Sequence, residues 1–500
     1  MLAAIDIGSN GVRMQVVRLV DTTRFELVEY QRAPVRLGED TFSQGYISEQ
    51  NIQAAIQALQ RFRDVIEHLG VPRMRAVASS AVREAENRDI FVDRIAQQTG
   101  IQVEVISGEE EARLVHLAVT KVIDLHGKYA MLIEIGGGSV EVVLSEGETI
   151  LSSESYRLGT VRLLQKFGCV TDDLLSFSRL VREYAGLARQ RLDREIGTQR
   201  LNMCIGTGGN VEALGDLRCR LLRRRSNAFI TLYEIETLIE AIGKMTVQER
   251  IEKLGLRPDR ADVIIPAGIV LHMLARESGL REVRIPHVGL KDGILWDMLP
   301  AAVVQRPSVE QQVRASALRL AQKYRMDIQH GAQVSQMALR LFEQSEPLHR
   351  MEAEEKLLLE VAALLHDIGQ FIQPVDHEKH GYYIVKNSPI LGMTPRQQDI
   401  VAQIIRYHRR ESPSLKDEEF RALSQRDRLI VTKLTAILRL ADSLDTSRSH
   451  AVKDLTLVPV DKNRWCLSIA GERDMLLEKW RISKRKSLFE EVFGVSLDIA

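Results

Sequence analysis

Two short stretches of this sequence combine an acidic residue with a turn rich in glycine and serine. The first is Asp6 with Gly8-Ser9-Asn10, and the second is Glu134 with Gly136-Gly137-Gly138-Ser139. Glycine lets the backbone approach an anion closely, and the amides of such turns can point at a phosphate group. A carboxylate does not bind phosphate itself. Asp6 and Glu134 are therefore predicted to bind a metal that accompanies phosphate, or to position water.

Each turn lies between two apolar runs, which predicts a β-hairpin with the turn at its tip. The pattern begins at Ala4 and restarts at Tyr129, and a third turn, Gly206-Thr207-Gly208-Gly209, follows another apolar run. An internal repeat of this kind indicates a duplicated architecture. We therefore expect two α/β halves that face each other across a cleft, where opposed turns would clamp a phosphate chain.

Composition limits the classes of protein to which the chain can belong. Its 500 residues predict two to four domains. Lys+Arg and Asp+Glu both number 68, so indiscriminate nucleic-acid binding is not expected. No signal peptide is visible, and no apolar run reaches the roughly 20 residues that span a bilayer.

The cysteines indicate the compartment in which the protein works. No CxxC spacing occurs, which fits a reducing cytoplasm and argues against a thiolate zinc site. The cysteines are Cys169, Cys204, Cys219 and Cys466.

Between the hairpins, helical and strand patterns alternate. Residues Ile52 to Leu69 have the apolar spacing of an amphipathic helix that ends before Gly70. A later helix is expected to start at Ser107, because Ser107 and Glu110 have the spacing of a capping box.

The second part of the chain has a different pattern. Pro300 and Pro307 bracket a predicted linker, and Ser308 starts a helical region that runs to about residue 444. Residues 454–469 alternate like a pair of strands. The predicted domains are 1–124, 125–300, 308–450 and 451–500.

Six motifs in the first three hundred residues together resemble the exopolyphosphatase/guanosine pentaphosphate phosphohydrolase (Ppx/GppA) family. They are Asp6 to Asn10, Ser79 to Arg83, Ile106 to Leu114, Glu134 to Ser139, Arg157 to Gly159 and Gly206 to Gly209. The resemblance implies two actin-like (ribonuclease H-like) α/β domains and a homodimer. It also implies removal of the terminal phosphate of inorganic polyphosphate, or of the 5' γ-phosphate of guanosine pentaphosphate, with a divalent cation, usually magnesium.

The resemblance assigns roles to individual residues. Glu111 is expected to be the general base for the attacking water. Glu134 is expected to be a catalytic residue and, together with Asp6, a metal ligand. Arg83 is expected to contact phosphate oxygens, since a guanidinium binds two at once. The family usually has aspartate where this chain has Glu134, and the extra methylene would change metal choice or rate. The three turns supply the expected phosphate-binding residues Gly8, Ser9, Asn10, Gly136, Gly137, Gly138, Ser139, Gly206, Thr207 and Gly208.

The helical region resembles the HD superfamily of metal-dependent phosphohydrolases. Imidazole and carboxylate ligands together suit manganese, iron, zinc or magnesium. The expected ligands are His330, His366, Asp367, His380, His408 and Asp442. After this all-α domain a small α+β tail is predicted.

Other functions fit parts of the pattern. An ATP-dependent kinase would share the fold, and a regulatory protein could bind guanosine tetra- or pentaphosphate with little turnover. An HD-type phosphohydrolase is a third alternative. Two basic runs, Arg218 to Arg225 and Arg481 to Lys486, could guide a polyanion or could be solvated surfaces.

Overall fold

The computed structural model describes residues 1–21, 24–168, 174–197, 200–299, 309–471 and 475–500. The chain divides into two compact units, Met1–Arg306 (unit 1) and Pro307–Ala500 (unit 2). The predicted linker prolines, Pro300 and Pro307, and the predicted helix start at Ser308 lie outside the described residues. The finer division into four domains stays a prediction. Within the described ranges, no helix is long and apolar enough to cross a membrane.

Unit 1 contains two β-sheets. Their strands are β1 Leu2–Gly8, β2 Gly11–Asp21, β3 Arg24–Ala33, β4 Met74–Ala78, β5 Val103–Val105, β6 Tyr129–Ile135, β7 Val140–Glu146, β8 Thr149–Tyr156, β9 Met203–Thr207, β10 Phe229–Thr231 and β11 Glu282–Arg284. The strand orders are β3-β2-β1-β4-β5 and β10-β11-β9-β6-β7-β8. Strand β1 pairs antiparallel with β2 and parallel with β4, and β6 pairs in the same way with β7 and β9. The predicted duplication is confirmed in these central strands.

Helices cover both sheets of unit 1. They are α1 Leu37–Gln44, α2 Glu49–His68, α3 Ser80–Glu84, α4 Arg88–Thr99, α5 Gly108–Thr120, α6 Thr160–Phe167, α7 Leu174–Tyr184, α8 Gly186–Ile196, α9 Gly209–Leu221, α10 Leu232–Gly243, α11 Val247–Leu254, α12 Pro258–Ala261, α13 Ile264–Glu277 and α14 Leu290–Asp297. The predicted amphipathic helix is α2, which buries Ile52, Ile56, Leu59 and Phe62 in the core of the first sheet.

Helix α5 carries Glu111 and begins at its predicted cap. The Ser107 hydroxyl accepts a hydrogen bond from the Glu110 backbone N–H at 3.2 Å. The Glu110 carboxylate does not return this bond to Ser107, as a capping box requires, because it is paired with Arg113 at 2.7 Å and with Arg75 at 3.4 Å. The next residue, Glu111, is turned inward and is buried.

Unit 2 combines helices with a small sheet. Its elements are α15 Val309–Lys323, α16 Ile328–Gln344, α17 Glu346–His349, α18 Ala353–Leu365, a 3-10 helix Ile368–Phe371, α19 His377–Lys386, α20 Pro395–Tyr407, α21 Glu418–Arg421, α22 Gln425–Ser443, β12 Val452–Pro459, β13 Arg464–Gly471, α23 Leu476–Arg485, α24 Ser487–Phe493 and β14 Ser496–Ile499. The predicted strand pair is confirmed as β12 and β13, and β14 adds a parallel partner to β13. Leu365 of the helices and Leu467 of the sheet belong to one hydrophobic core. The tail therefore packs with the helices as one unit.

Helix α14 packs closely against α5 at Gly293, and this contact can be tested. A Cβ on Gly293 of α14 would lie 2.0 Å from the Leu114 carbonyl oxygen, whereas a Cβ on Gly186 would meet no atom within 4 Å. We expect Gly293→Ala to lower the free energy of unfolding by about 1–3 kcal/mol, because α14 and α5 must move apart. The matched control is Gly186→Ala, which should be neutral or slightly stabilising because alanine favours helix. Thermal unfolding of both variants checks this, and equal melting temperatures would contradict it.

Candidate active site

A cleft of about 260 Å³ in unit 1 lies at the tips of the two repeated hairpins. The tips approach each other closely, since a Cβ on Gly137 would lie 2.9 Å from the Ser9 Cβ. Most of the predicted residues line the cleft, namely Asp6, Gly8, Ser9, Asn10, Glu111, Glu134, Gly136, Gly137 and Gly208. Residues from both halves therefore form one cavity.

Four turn residues predicted to bind phosphate do not line this cleft. They are Gly138, Ser139, Gly206 and Thr207. A Cβ on Gly138 would lie 2.2 Å from the Phe42 ring and 2.5 Å from the Ser80 hydroxyl, and one on Gly206 would lie 2.9 Å from Val283. Gly138 and Gly206 therefore pack closely against neighbouring side chains.

Arg83, which we predicted to contact phosphate oxygens, lies next to Glu111. It does not line the cleft. Its Nη1 donates to the Ile106 carbonyl oxygen at 2.7 Å and lies 3.4 Å from Glu111 Oε2. In this arrangement Arg83 is a positioning residue that holds Glu111.

Three buried glutamates meet beside the cleft. Glu111, Glu134 and Glu141 each offer one carboxylate oxygen, and these oxygens lie within 4.8 Å of one another. Glu134 and Glu141 are directly opposite each other across the β6–β7 hairpin. Our sequence reasoning missed Glu141, although an acidic residue inside the apolar strand β7 was an available signal.

The electrostatics of this cluster favour a bound cation. Burial raises the pKa of each of the three carboxyl groups, and repulsion among them raises the pKa of Glu111 and Glu134 further. The Oε2 atoms of Glu134 and Glu141 are buried without a hydrogen-bond partner. Uncompensated charges of this kind are costly, and oxygen ligands suit a divalent cation such as magnesium. The residues present thus fit such an ion.

Asp6, which we predicted to bind a metal together with Glu134, is paired with an arginine. It lies opposite Arg13 across the β1–β2 hairpin, and the two form an ion pair at 2.7 Å. The equivalent pair in the second hairpin is Glu134 with Glu141. Asp6 is therefore paired with a neighbouring guanidinium and is not among the grouped ligand oxygens, but its charge still contributes to the raised pKa of Glu111 and Glu134.

The rest of the cleft wall carries charges of both signs, and its further acidic residues are Asp6, Glu212 and Asp259. Its cationic residues are Arg13, Arg257, Arg260 and Lys291, none of which the sequence motifs singled out. Burial, together with the nearby charges of Arg257 and Arg13, lowers the pKa of Arg260 to about 10. Arg13, Arg257 and Lys291 lie near the carboxylates of Asp6, Asp259 and Asp292, at 2.7, 3.8 and 3.2 Å. A phosphate group would stabilise the crowded charge of Arg260.

Unit 2 contains a second concentration of ligand groups. Two sets each have ligand atoms within 4.8 Å of one another: His330, His366 and Asp442, and Asp367, His377 and His408. A pocket of about 160 Å³ lies beside them. Five of the six predicted ligands are therefore brought together.

Three of these histidines are held in an orientation suited to a metal. The Nδ1 of His330 lies 2.7 Å from an Asp445 oxygen, that of His366 lies 2.8 Å from the Ala363 carbonyl oxygen, and that of His408 lies 2.6 Å from the Ile405 carbonyl oxygen. A proton shared with oxygen at Nδ1 leaves the Nε2 lone pair free for a metal. The His366 Nε2 is buried without a hydrogen-bond partner.

His380 is the predicted ligand that belongs to neither group, and His377 occurs in one of them instead. His377, three residues earlier, has its Nε2 3.1 Å from Asp367 Oδ1 and 3.3 Å from the His408 Nε2. The two histidines lie on a similar face of α19, one turn apart, so the sequence could not decide which one reaches the cluster.

The fold and the cleft define an α/β protein suited to holding a phosphate chain beside buried carboxylates. The chain belongs to the Ppx/GppA phosphatase family: the family model matches residues 15–302, and the model of its domain III matches residues 313–484. A relative from Photobacterium profundum, named guanosine-5'-triphosphate,3'-diphosphate pyrophosphatase, is 26% identical over 473 residues. The match covers 94% of this chain and 91% of the relative.

Two solved structures share the fold of unit 1. An exopolyphosphatase from Cytophaga hutchinsonii has a TM-score of 0.56 at 24% identity, covering 61% of this chain and 98% of that protein. The Ppx/GppA family member from Aquifex aeolicus has a TM-score of 0.50 at 24% identity, covering 59% and 95%. The expected actin-like α/β architecture is confirmed at the level of the fold.

The glutamate cluster generates a prediction about cation dependence. Glu141→Gln removes one buried charge from the cluster, so the metal-free protein should melt at a higher temperature than the wild type. The stabilisation that the wild type gains from added magnesium should be lost, because the cation loses a ligand. Melting curves in chelator and in magnesium measure both effects. Glu146→Gln, at the exposed end of the same strand, is the matched control; if both variants respond to magnesium like the wild type, Glu141 is not a ligand.

Proposed function

We propose that the cleft of unit 1 hydrolyses the terminal phosphoanhydride bond of inorganic polyphosphate or of guanosine pentaphosphate. The observation that carries this proposal is a cleft at the two glycine-rich turns that is lined by Glu111 and Glu134, two of the three clustered buried carboxylates, and by four cationic side chains. The names of the relatives, an exopolyphosphatase and a guanosine-5'-triphosphate,3'-diphosphate pyrophosphatase, support the same substrate classes.

Glu134 and Glu141 are the residues that would hold a divalent cation, with magnesium the expected ion. When bound, this ion supplies charge neutralisation at the terminal phosphate. The turns at Ser9 and Gly137 direct amides toward the phosphate chain. In this proposal Arg260 and Lys291, on the cleft wall, balance negative charge of the phosphate chain and orient its end.

Glu111 is positioned to act as the general base. It lines the cleft, and Arg83 holds its carboxylate from the side. Glu111 accepts a proton from the attacking water while the water oxygen bonds to the terminal phosphorus. The bond from phosphorus to the bridging oxygen breaks, and the shortened phosphate chain leaves with that oxygen.

Glu111→Gln tests this assignment. The variant keeps the shape of the side chain but cannot take a proton, so phosphate release should fall about 10²–10⁴-fold with substrate affinity changed only a few-fold. Orthophosphate release from polyphosphate and from guanosine pentaphosphate measures the effect. Glu109→Gln, in the same first turn of α5 but outside the cleft wall, is the control.

Two outcomes would count against the proposal. Retention of more than about a tenth of the activity by Glu111→Gln would exclude it as the base. A wild type that binds guanosine pentaphosphate tightly but releases no phosphate would favour a regulatory binding protein.

The helical part of unit 2 is, in our proposal, an HD-like domain that binds transition metals such as manganese, iron or zinc. Its six converging ligands, His330, His366, Asp367, His377, His408 and Asp442, support this assignment. Neutral imidazoles and ionised carboxylates buried together are costly unless a cation satisfies them. A homodimer stays an expectation from the family.

A pair of histidine variants distinguishes this metal site from a purely structural cluster. We expect His377→Ala to lower the manganese or zinc content of the full-length protein and to reduce the rise in melting temperature that the metal produces. His380→Ala, on the same helix, should behave like the wild type. Elemental analysis and thermal unfolding measure both effects, and a wild type that retains no metal and shows no shift would refute the site.

A further inference from the structure

Four arginines line the pocket beside the histidine and aspartate clusters of unit 2. Arg409 follows α20, and Arg448 follows α22. Arg481 and Arg485 lie one turn apart on α23, and they project from the same face of that helix. The C-terminal tail thus supplies half of a positively charged wall that we name the arginine collar.

The positive charge of the collar exceeds the negative charge of the carboxylates in the pocket. The pocket contains three carboxylates, Asp367, Asp442 and Asp445, against the four guanidinium groups. Arg448 bonds to Asp367, and Arg485 pairs with Asp442 at 2.7 Å. Asp445 faces His330 at 2.7 Å. The pocket is therefore net positive before any metal binds.

Arg409 and Arg481 are the members of the collar that carry unbalanced charge. Among residues 309–471 and 475–500, neither is paired with a carboxylate; Arg409 contacts only the His377 Nδ1, at 3.0 Å. A cation in each ligand cluster would increase the excess of positive charge. Such a wall is complementary to a dianion with several acceptor oxygens, and guanidinium groups bind phosphate oxygens in pairs.

The collar is held in place by the tail. Ile482, between the two arginines of α23, is fully buried in the core of unit 2. The Glu478 carboxylate accepts a hydrogen bond at 3.2 Å from the backbone N–H of Ser447, next to Arg448. These contacts fix α23 and the loop of Arg448 relative to each other, so the collar is preorganised.

The size of the pocket limits what it can hold. Its volume of about 160 Å³ is below the roughly 300–1,000 Å³ of sites that enclose drug-sized ligands. A volume of this size suits a single phosphate group.

We propose that the arginine collar is a second phosphate-binding site, which takes the terminal phosphate group of a small anion beside the metal clusters of unit 2. Arg409 and Arg481 are its main phosphate contacts, and the C-terminal helix α23 completes it. The inference rests on the proposed metal site and is independent of the cleft in unit 1.

Titration calorimetry on the full-length protein tests the collar. The manganese-loaded wild type is titrated with inorganic phosphate, with tripolyphosphate and with guanosine diphosphate. The component that belongs to unit 2 is the one lost in His366→Ala, since binding in the cleft of unit 1 persists in that variant. We expect Arg481→Gln and Arg409→Gln each to weaken this component at least about tenfold, as loss of a charged hydrogen bond to phosphate predicts.

Control variants distinguish the loss of a phosphate contact from a loss of structure or of metal. Lys484→Gln, an exposed position on α23 between the two arginines, should bind all three anions like the wild type. Manganese content and melting temperature are measured for every variant, and they should stay at the wild-type level in Arg481→Gln and Lys484→Gln. A selective loss with any of the three anions supports the proposal, and the anion bound most tightly identifies the source of the phosphate.

Two results would overturn it. If Arg481→Gln and Arg409→Gln retain metal and bind every anion like the wild type, the arginines only balance carboxylates. If the protein holds no manganese and shows no phosphate component that depends on His366, the collar binds no phosphate at a metal site. Neither result touches the cleft of unit 1, whose phosphate release is tested separately by Glu111→Gln.

Discussion

Repulsion among buried carboxylates is the constraint on which the cleft of unit 1 depends. Glu111, Glu134 and Glu141 come from one helix and one hairpin, and their oxygens lie within 4.8 Å of one another. Like charges this close, removed from water, cannot all ionise without a compensating cation. The surrounding elements maintain this arrangement: the cap at Ser107 fixes the start of α5, Gly293 lets α14 support that helix, and Arg83 balances Glu111.

The two hairpins of unit 1 show how a duplicated element can become asymmetric. Both place an acidic residue opposite the seventh residue that follows it, but that residue is Arg13 in the first copy and Glu141 in the second. The first hairpin is internally neutralised and adds a guanidinium to the cleft wall. The second is left with excess negative charge, which suits a cation. One backbone pattern thus carries an ion pair in the first copy and two facing carboxylates in the second.

Unit 2 also brings buried ionisable groups together, but with histidine and aspartate in place of glutamate. Its histidines are oriented by oxygen acceptors at Nδ1, and Asp442 directs one oxygen toward His366 while the other pairs with Arg485. The basic run of the tail divides accordingly: Arg481 and Arg485 face the pocket, whereas Lys484 is exposed and Lys486 binds Glu490. The run from Arg218 is partly structural, since Arg218 is buried in an ion pair with Glu234.

The sequence by itself determined the local elements of this protein. The repeated hairpins, the cap at Ser107, the helix α2 and the strand pair β12–β13 follow from periodicity, glycine turns and capping residues, which act over a few neighbouring positions. The motifs also placed Glu111 and Glu134 at the cleft. Only the tertiary structure decided that Glu141 completes the carboxylate cluster, that Asp6 is paired with Arg13, that His377 replaces His380, and that Gly138 packs against Phe42. Each of these outcomes depends on which side chain reaches a shared point across strands, helices or loops. The packing of the whole unit decides which side chain reaches that point. It produces no periodic pattern in the sequence.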